Sequence, residues 1–295
     1  MLGNAMLDVS IGLVFVFLIL SLICTTINEC ISSVLKLRAR TLRTALNDLL
    51  EDQAMIDAFQ KTPLVRTINR VAGPVGPSYL PAPIFAASVL DAAASLTDKN
   101  GAASFTEIRA TLDKLPECDL KHILVSHAHE AKEDVTALKA HIGAWFDHMM
   151  DRAAGRFKRN MGAISLVCAL AISIALNADS ITIAKSLWTD GSLRSQIADA
   201  AETFVSEAEY VEDLVEFSEV ENVLRPLPLG WKFGDPEFVT DWHKSPGGWF
   251  LKIIGLLTTG LAVSLGAPFW FDILNKFMKL RSSGPKPSAK TAAVA

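Results

Sequence analysis

Residues 11–27 read IGLVFVFLILSLICTTI, an apolar run without a charged side chain. With its flanks, from Asp8 or Ile11 to about Ile31, the run reaches the roughly 20 residues that a helix needs to cross a bilayer. Residues 161–176 are likewise apolar and uncharged, and residues 250–271 are apolar apart from Lys252 near their start. Cations border each stretch on one side. Lys36, Arg38, Arg40 and Arg43 follow the first, Arg152, Arg156, Lys158 and Arg159 precede the second, and Lys276, Lys279 and Arg281 follow the third. Cytoplasmic flanks of membrane spans carry the excess of Lys and Arg. Three crossings therefore put all three clusters in one compartment, and the expected location is a plasma (inner) membrane with the N-terminus outside and the C-terminus cytoplasmic.

Composition agrees with this. Half of the 295 residues are apolar and 20% are charged, low for a soluble globular chain. Residues 32–160 carry 17 Lys/Arg against 15 Asp/Glu, whereas residues 180–249 carry 5 against 13. No generally basic surface exists for nucleic acid; the basic residues adjoin the membrane, where anionic headgroups attract them by about 1 kcal/mol each. The first run is read as a retained anchor, since no small-x-small cleavage site separates it from Asn28 and Glu29. Cys24, Cys30 and Cys168 lie in or beside spans and Cys118 is interior, so the exterior loop has no disulfide pair to form.

The sequence thus predicts an all-α polytopic membrane protein with three transmembrane helices, a helical cytoplasmic domain and a small helical exterior cap. The expected boundaries are 1–31 for the first span, 32–160 for the cytoplasmic domain, 161–180 for the second span, 181–249 for the acidic exterior segment, 250–272 for the third span and 273–295 for a basic cytoplasmic tail, disordered after Arg281. The first helix is expected to continue past the membrane through Arg43, its charged stems snorkelling. Proline and glycine at 73–83 predict a connector, Ser104 with Glu107 a capping box, and residues 119–150 are helical throughout. Outside, apolar residues recur at helical intervals from Leu193 to Phe217, and Trp231, Trp242 and Trp249 approach the third span as interfacial tryptophans.

Small side chains recur every four residues along the second span at Ser165, Ala169, Ser173 and Asn177, the pattern by which helices in lipid pack closely. This makes the second span the expected central one. In the third, Gly260 pairs with Ser264 and Ala262 with Gly266 on adjoining faces, and Pro268 permits a bend before Phe269, Trp270 and Phe271. Trp145, Met149, Arg152 and Arg156 share one side of a preceding helix. A membrane joint is expected there, this helix packing on Phe269, Trp270, Phe271 and Asp272 and bringing Arg152 or Arg156 toward Asp272.

Chemical signatures are sparse. Cys118, His122, His127, His129, Glu130, Glu133 and Asp134 crowd one helical stretch, but no HExxH spacing occurs, and they read as ordinary polar faces. Residues 98–101 begin like a calcium loop, yet Arg109 stands where the closing glutamate belongs. No GxGxxG, P-loop, GxSxG or CxxC pattern is present. Asn28, Glu29, Asn177, Asp179, Lys252 and Asp272 sit at span ends and form no midplane relay. No catalytic, cofactor-binding or metal-ligating residue is assigned, and no cofactor is expected.

Several stretches resemble an uncharacterised family of bacterial three-span membrane proteins. They are Trp145-Phe146-Asp147 through Met150-Asp151-Arg152, then Gly155-Arg156-Phe157-Lys158-Arg159, Asn177-Ala178-Asp179-Ser180-Ile181 with Leu187-Trp188, and Leu227-Pro228-Leu229-Gly230-Trp231. The most specific is residues 257–272, LTTGLAVSLGAPFWFD. Members of the family often have tyrosine at the position of Phe157. The resemblance covers the membrane-proximal half well and residues 50–130 poorly, and it implies topology without implying catalytic residues. The expected function is a non-enzymatic scaffold or accessory subunit whose partners are membrane lipids and other membrane proteins or copies of itself. The alternatives are an oligomeric transporter or channel component, or an enzyme acting on lipid through His141, Asp147 and His148.

Overall fold

The structure, a computed structural model, describes residues 2–73, 76–97, 104–207, 225–231 and 246–282. Residues 98–101, whose start resembles a calcium loop, the exterior pattern from Ala208 to Phe217, Trp242 and the tail beyond 282 lie outside them. Among the described residues there are 12 helices and no strand. The all-helical expectation holds, and three helices are long and apolar enough to cross a membrane.

The chain divides into two compact units. The first comprises residues 1–30 and 162–295, the second Ile31–Met161.

The second unit is built from α2 (Leu37–Leu50), α3 (Gln53–Lys61), α4 (Pro63–Ala72), α5 (Ala82–Leu96), α6 (Phe105–Asp113), α7 (Asp119–Glu130) and the start of α8 (Val135–Ala175). Its core gathers around α5, which is apolar nearly all round and buries Phe85, Ala86, Val89, Ala92 and Ala93 completely. Such a helix belongs inside a fold. Phe85 stacks on Phe146 of α8 at 4.1 Å between ring centroids and meets Phe59 of α3 at 5.6 Å. Burying each such ring contributes about 1.5–3 kcal/mol. The capping box is formed: Ser104 Oγ accepts from Glu107 N–H and Glu107 Oε2 accepts from Ser104 N–H.

Two breaks differ from the sequence expectation. The helix α1 (Leu2–Val34) does not run on through Arg43; Lys36 adopts φ 49°, and α2 starts anew at Leu37. Residues 119–150 are likewise not one helix. Lys132 and Glu133 both take positive φ, 47° and 70°, and separate α7 from α8. Neither break carries a glycine or proline, so the usual punctuation is missing.

The first unit contains α1 up to Cys30, the latter part of α8, α9 (Ser180–Thr189), α10 (Gly191–Glu207), residues 225–231, α11 (Pro246–Ser264) and α12 (Ala267–Ser282). Its centre is α1 rather than the second span. The apolar window of α1 is 67% buried by protein, against 11% for α8 and 22% for α11. Neighbours surround it in sequence. Leu187 and Ile197 flank Gly12, where an added Cβ would lie 3.2 Å from Leu187. Phe204 meets Phe15, Trp270 meets Phe17, Ser21 Oγ donates to the Val263 carbonyl, and Cys24 Sγ donates to that of Ser165.

The third apolar stretch is also not one span from 250 to 272. Gly266, at φ 89°, uses the left-handed region open to glycine, and the chain reverses there. Pro268 sits in the first turn of α12, where its missing N–H costs nothing, and Trp270 Nε1 donates to the Ala262 carbonyl at 2.7 Å, stapling the reversal. Arg281, at the far end of α12, then lies 3.8 Å from Asp8. Within the first unit α12 thus returns along α1, and Arg281 meets the amino-terminal end of that helix.

Candidate functional site

Within the first unit, the ends of α8, α9 and α11 converge on a buried polar joint. The end of α8 is set by Asn177, which takes φ 48°, a conformation asparagine tolerates better than most residues. The Ala178 N–H bonds the Ser173 carbonyl at 2.8 Å, the 6→1 bond of a helix C-cap. Remaining carbonyls of the last turn find donors in the segment 227–231. Gly230 N–H bonds Leu176 at 2.7 Å and Trp231 Nε1 bonds Ile174 at 2.8 Å, while Asn177 Nδ2 donates to the Gly230 carbonyl at 3.0 Å. Asn177 Oδ1 is buried without a partner.

Two residues later, Asp179 caps α9. Its Oδ1 accepts from the N–H groups of Ile181 and Thr182, at 3.0 and 3.4 Å, and its Oδ2 accepts from Thr182 Oγ1 at 2.7 Å. Lys252 of α11 reaches the same Oδ2 at 3.3 Å. Both side chains are under 10% exposed. Such a pair tolerates burial only when the remaining lone pairs are also satisfied, and the amino end of α9 supplies both amides and a favourable dipole.

One turn along α11, a Cβ on Gly255 would run into this carboxylate, with Asp179 Cγ at 2.6 Å. A further turn on, Thr259 donates to the Gly255 carbonyl at 3.0 Å and accepts from Ser180 N–H at 3.0 Å and Ser180 Oγ at 2.7 Å. The joint is closed and neutral. It holds two charges that cancel and hydroxyls that bond one another, with no free nucleophile beside a base.

The small residues have distinct places. Ala169 and Ser173 are buried; Ser173 Oγ donates to the Leu256 carbonyl of α11 at 3.1 Å, and the Ser165 carbonyl receives Cys24. Gly260 faces α8 so closely that an added Cβ would lie 3.2 Å from Leu170 Cα. Ser264 bonds only its own helix, at Leu261, and Gly266 makes the reversal rather than a helix contact. At the amino-terminal end of α1, Arg281 gathers Asp8, Asp199 and Glu202 at 3.8, 3.6 and 3.5 Å.

The residues expected to form one membrane joint have their partners within their own units. In the second unit, Trp145 packs 6.2 Å from Phe85, Arg156 pairs with Asp48 at 3.8 Å, and Arg152 is exposed. In the first, Trp270 packs on Phe17, while Pro268 and Asp272 are exposed. Within the second unit the carboxylate that Arg156 meets is Asp48 of α2.

Sequence inspection marked Asp179 and Lys252 as separate boundary groups and missed their pairing. Asp179 stands three residues beyond the end of the second apolar stretch and Lys252 two residues inside the start of the third, and that similar depth was the available signal.

In the second unit, a cavity of about 190 Å³ is lined by Leu42, Arg43, Ile56, Phe59, Val65 and Asn69 among others, with no carboxylate in its lining. Among the described residues, a group able to hold a metal lies elsewhere, at His127, Glu130 and His141. No family model, curated protein or solved structure matches the chain.

Proposed function

We propose that this chain is an integral membrane scaffold or accessory subunit of a bacterial inner-membrane complex, without catalytic chemistry of its own. The observation that supports it is the closure of the polar joint. Asp179, Lys252, Ser180 and Thr259 are spent on holding α8, α9 and α11 together, so they serve architecture. Meanwhile α8 and α11 present Val167, Ile174, Ile253, Leu257 and Leu261 outward, an apolar face suited to lipid or to the spans of another subunit. The second unit, with its own core, is the part offered to soluble or membrane-bound partners.

In this proposal Lys36 to Arg43 and Arg152 to Arg159 lie at the cytoplasmic surface, following the positive-inside bias. Asp8 and Arg281 share the opposite side. The test is native mass measurement of the protein extracted in mild detergent. Co-purifying subunits or a defined homo-oligomer are expected; a strictly monomeric chain without companions overturns the proposal.

A buried Asp179–Lys252 pair among membrane-type helices also favours a second reading, a component of an oligomeric transporter or channel, because intramembrane ionisable groups mark many ion paths. Ion flux in reconstituted vesicles that is lost on Thr259→Val supports it. Absence of flux under imposed gradients of Na⁺, K⁺ and protons counts against it.

A further inference from the structure

The break between α7 and α8 brings together three side chains that an unbroken helix would have kept apart. His127 and Glu130 lie three residues apart on the last turn of α7 and so share a face. After the turn formed by Lys132 and Glu133, Asp134 Oδ1 accepts from Thr136 N–H at 2.7 Å and starts α8. His141, on the second turn of α8, then faces back toward α7. His127 Nδ1 lies 3.5 Å from Glu130 Oε2, His141 Nδ1 lies 4.0 Å from the same oxygen, and the three ligand atoms are all within 4.8 Å of one another.

These separations are close to those of a metal site and too long for hydrogen bonds. Zinc bound at about 2.0–2.2 Å in tetrahedral geometry holds its N and O ligands about 3.3–3.5 Å apart. Side-chain rotations that move each ligand atom by about 1 Å therefore close the site. Both Nδ1 atoms are buried and make no hydrogen bond, a state that is unfavourable for each group. A cation between them satisfies both at once. Glu130 is 62% exposed, which leaves a coordination position open to water. The neighbouring histidines are otherwise engaged: His129 Nε2 meets Arg109 at 3.2 Å and His122 Nε2 meets Glu117 at 3.4 Å.

We propose that His127, Glu130 and His141 form a binding site for one divalent transition ion of the zinc type, through His127 Nδ1, His141 Nδ1 and a Glu130 carboxylate oxygen. Two imidazoles and one carboxylate suit a borderline-soft ion better than calcium or magnesium, which take oxygen ligands. Bound there, the ion fastens α7 to α8 across a turn of two consecutive left-handed non-glycine residues, whose conformation is otherwise unfavourable.

The test uses the full-length, untagged chain in detergent micelles. Zn²⁺ binding is measured by calorimetry and by metal content after dialysis, and Co²⁺ replaces Zn²⁺ for its ligand-field spectrum. One Zn²⁺ per chain is expected, with the intense absorption of four-coordinate Co²⁺. H141A and H127Q each weaken binding at least as much as the ~10–100-fold that loss of an outer-shell partner costs; H129A and H122A leave it unchanged. Far-ultraviolet circular dichroism establishes that each variant is folded, and H127Q and H141A disrupt opposite sides of the turn, so both failing to fold is not expected. Zn²⁺ that does not bind the parent chain, or that binds H141A and H127Q as tightly as the parent, overturns the assignment.

Discussion

Two helices that are both long and apolar enough to cross a membrane, α1 and α8, live in different surroundings. Phe15, Val16, Leu18 and Leu20 of α1 are enclosed by side chains of α8, α9, α10, α11 and α12, whereas Val167 and Ile174 of α8 are open. Hydropathy measures what a helix avoids, which is water, and leaves open whether protein or lipid takes its place. The small-residue stripe identified a contacting face of α8 without identifying the central helix, because a helix at the centre of a unit can be lined by bulky residues when its neighbours are shaped around it.

The largest expected effect separates these two environments. Phe15→Ala removes a fully buried ring packed against Phe204 and should cost about 3–5 kcal/mol. Ile174→Ala, on the exposed face, should stay within about 0.5 kcal/mol. Denaturation in a constant detergent background checks both, and equal losses would break the distinction between a protein-packed α1 and an open α8.

The polar joint gives the next test. Lys252→Met or Asp179→Asn alone should destabilise by about 3–5 kcal/mol, because each abandons a buried polar or charged partner. The double variant should recover much of that loss. Additive losses in the same unfolding assay would mean that the two side chains are not coupled.

The smallest effect lies on the surface of the second unit. Lys121 Nζ, 2.7 Å from Glu117 Oε1, holds that carboxyl below its ordinary range through its hydrogen bond first and its charge second. Lys121→Ala should raise the Glu117 pKa toward the ordinary value, as read by carbon-detected NMR titration. With the folded pKa depressed, the pair contributes above the unfolded carboxyl range and is lost as pH falls through the folded value. Because Glu117 is exposed, no change in melting temperature is expected.

How far these features were readable in the chain differs from place to place. Helix content and the cap at Ser104 and Glu107 rest on local chemistry, and local chemistry is written in neighbouring residues. The stop at Asn177 also rests on local chemistry, asparagine in the left-handed conformation with a polar stretch beyond it, yet the sequence reading runs the second span on to 180 with Asn177 on its packing face. The breaks at Lys36 and at Lys132–Glu133 carry no such sign, since lysine and glutamate favour helix in isolation. Tertiary packing on each side must hold them in place. Gly266 was visible as a small residue, but spacing cannot tell a glycine that admits a neighbouring helix from one that reverses the chain. That ambiguity hid the return of α12, and with it the meeting of Arg281 with Asp8. For the metal-type cluster the decisive ligand, His141, stands eleven residues beyond Glu130 across an unmarked turn, so no sequence spacing announced it.

The central claim is that α12 folds back beside α1, so that its far end lies with the amino-terminal end of α1 and not with its carboxyl end. Single cysteines at Met6, Arg40 and Lys279, each in a background without the four native cysteines, can be labelled with a membrane-impermeant maleimide in right-side-out vesicles. The account predicts that positions 6 and 279 react from one side and position 40 only after the vesicles are opened. Labelling of 279 together with 40, and apart from 6, would contradict it.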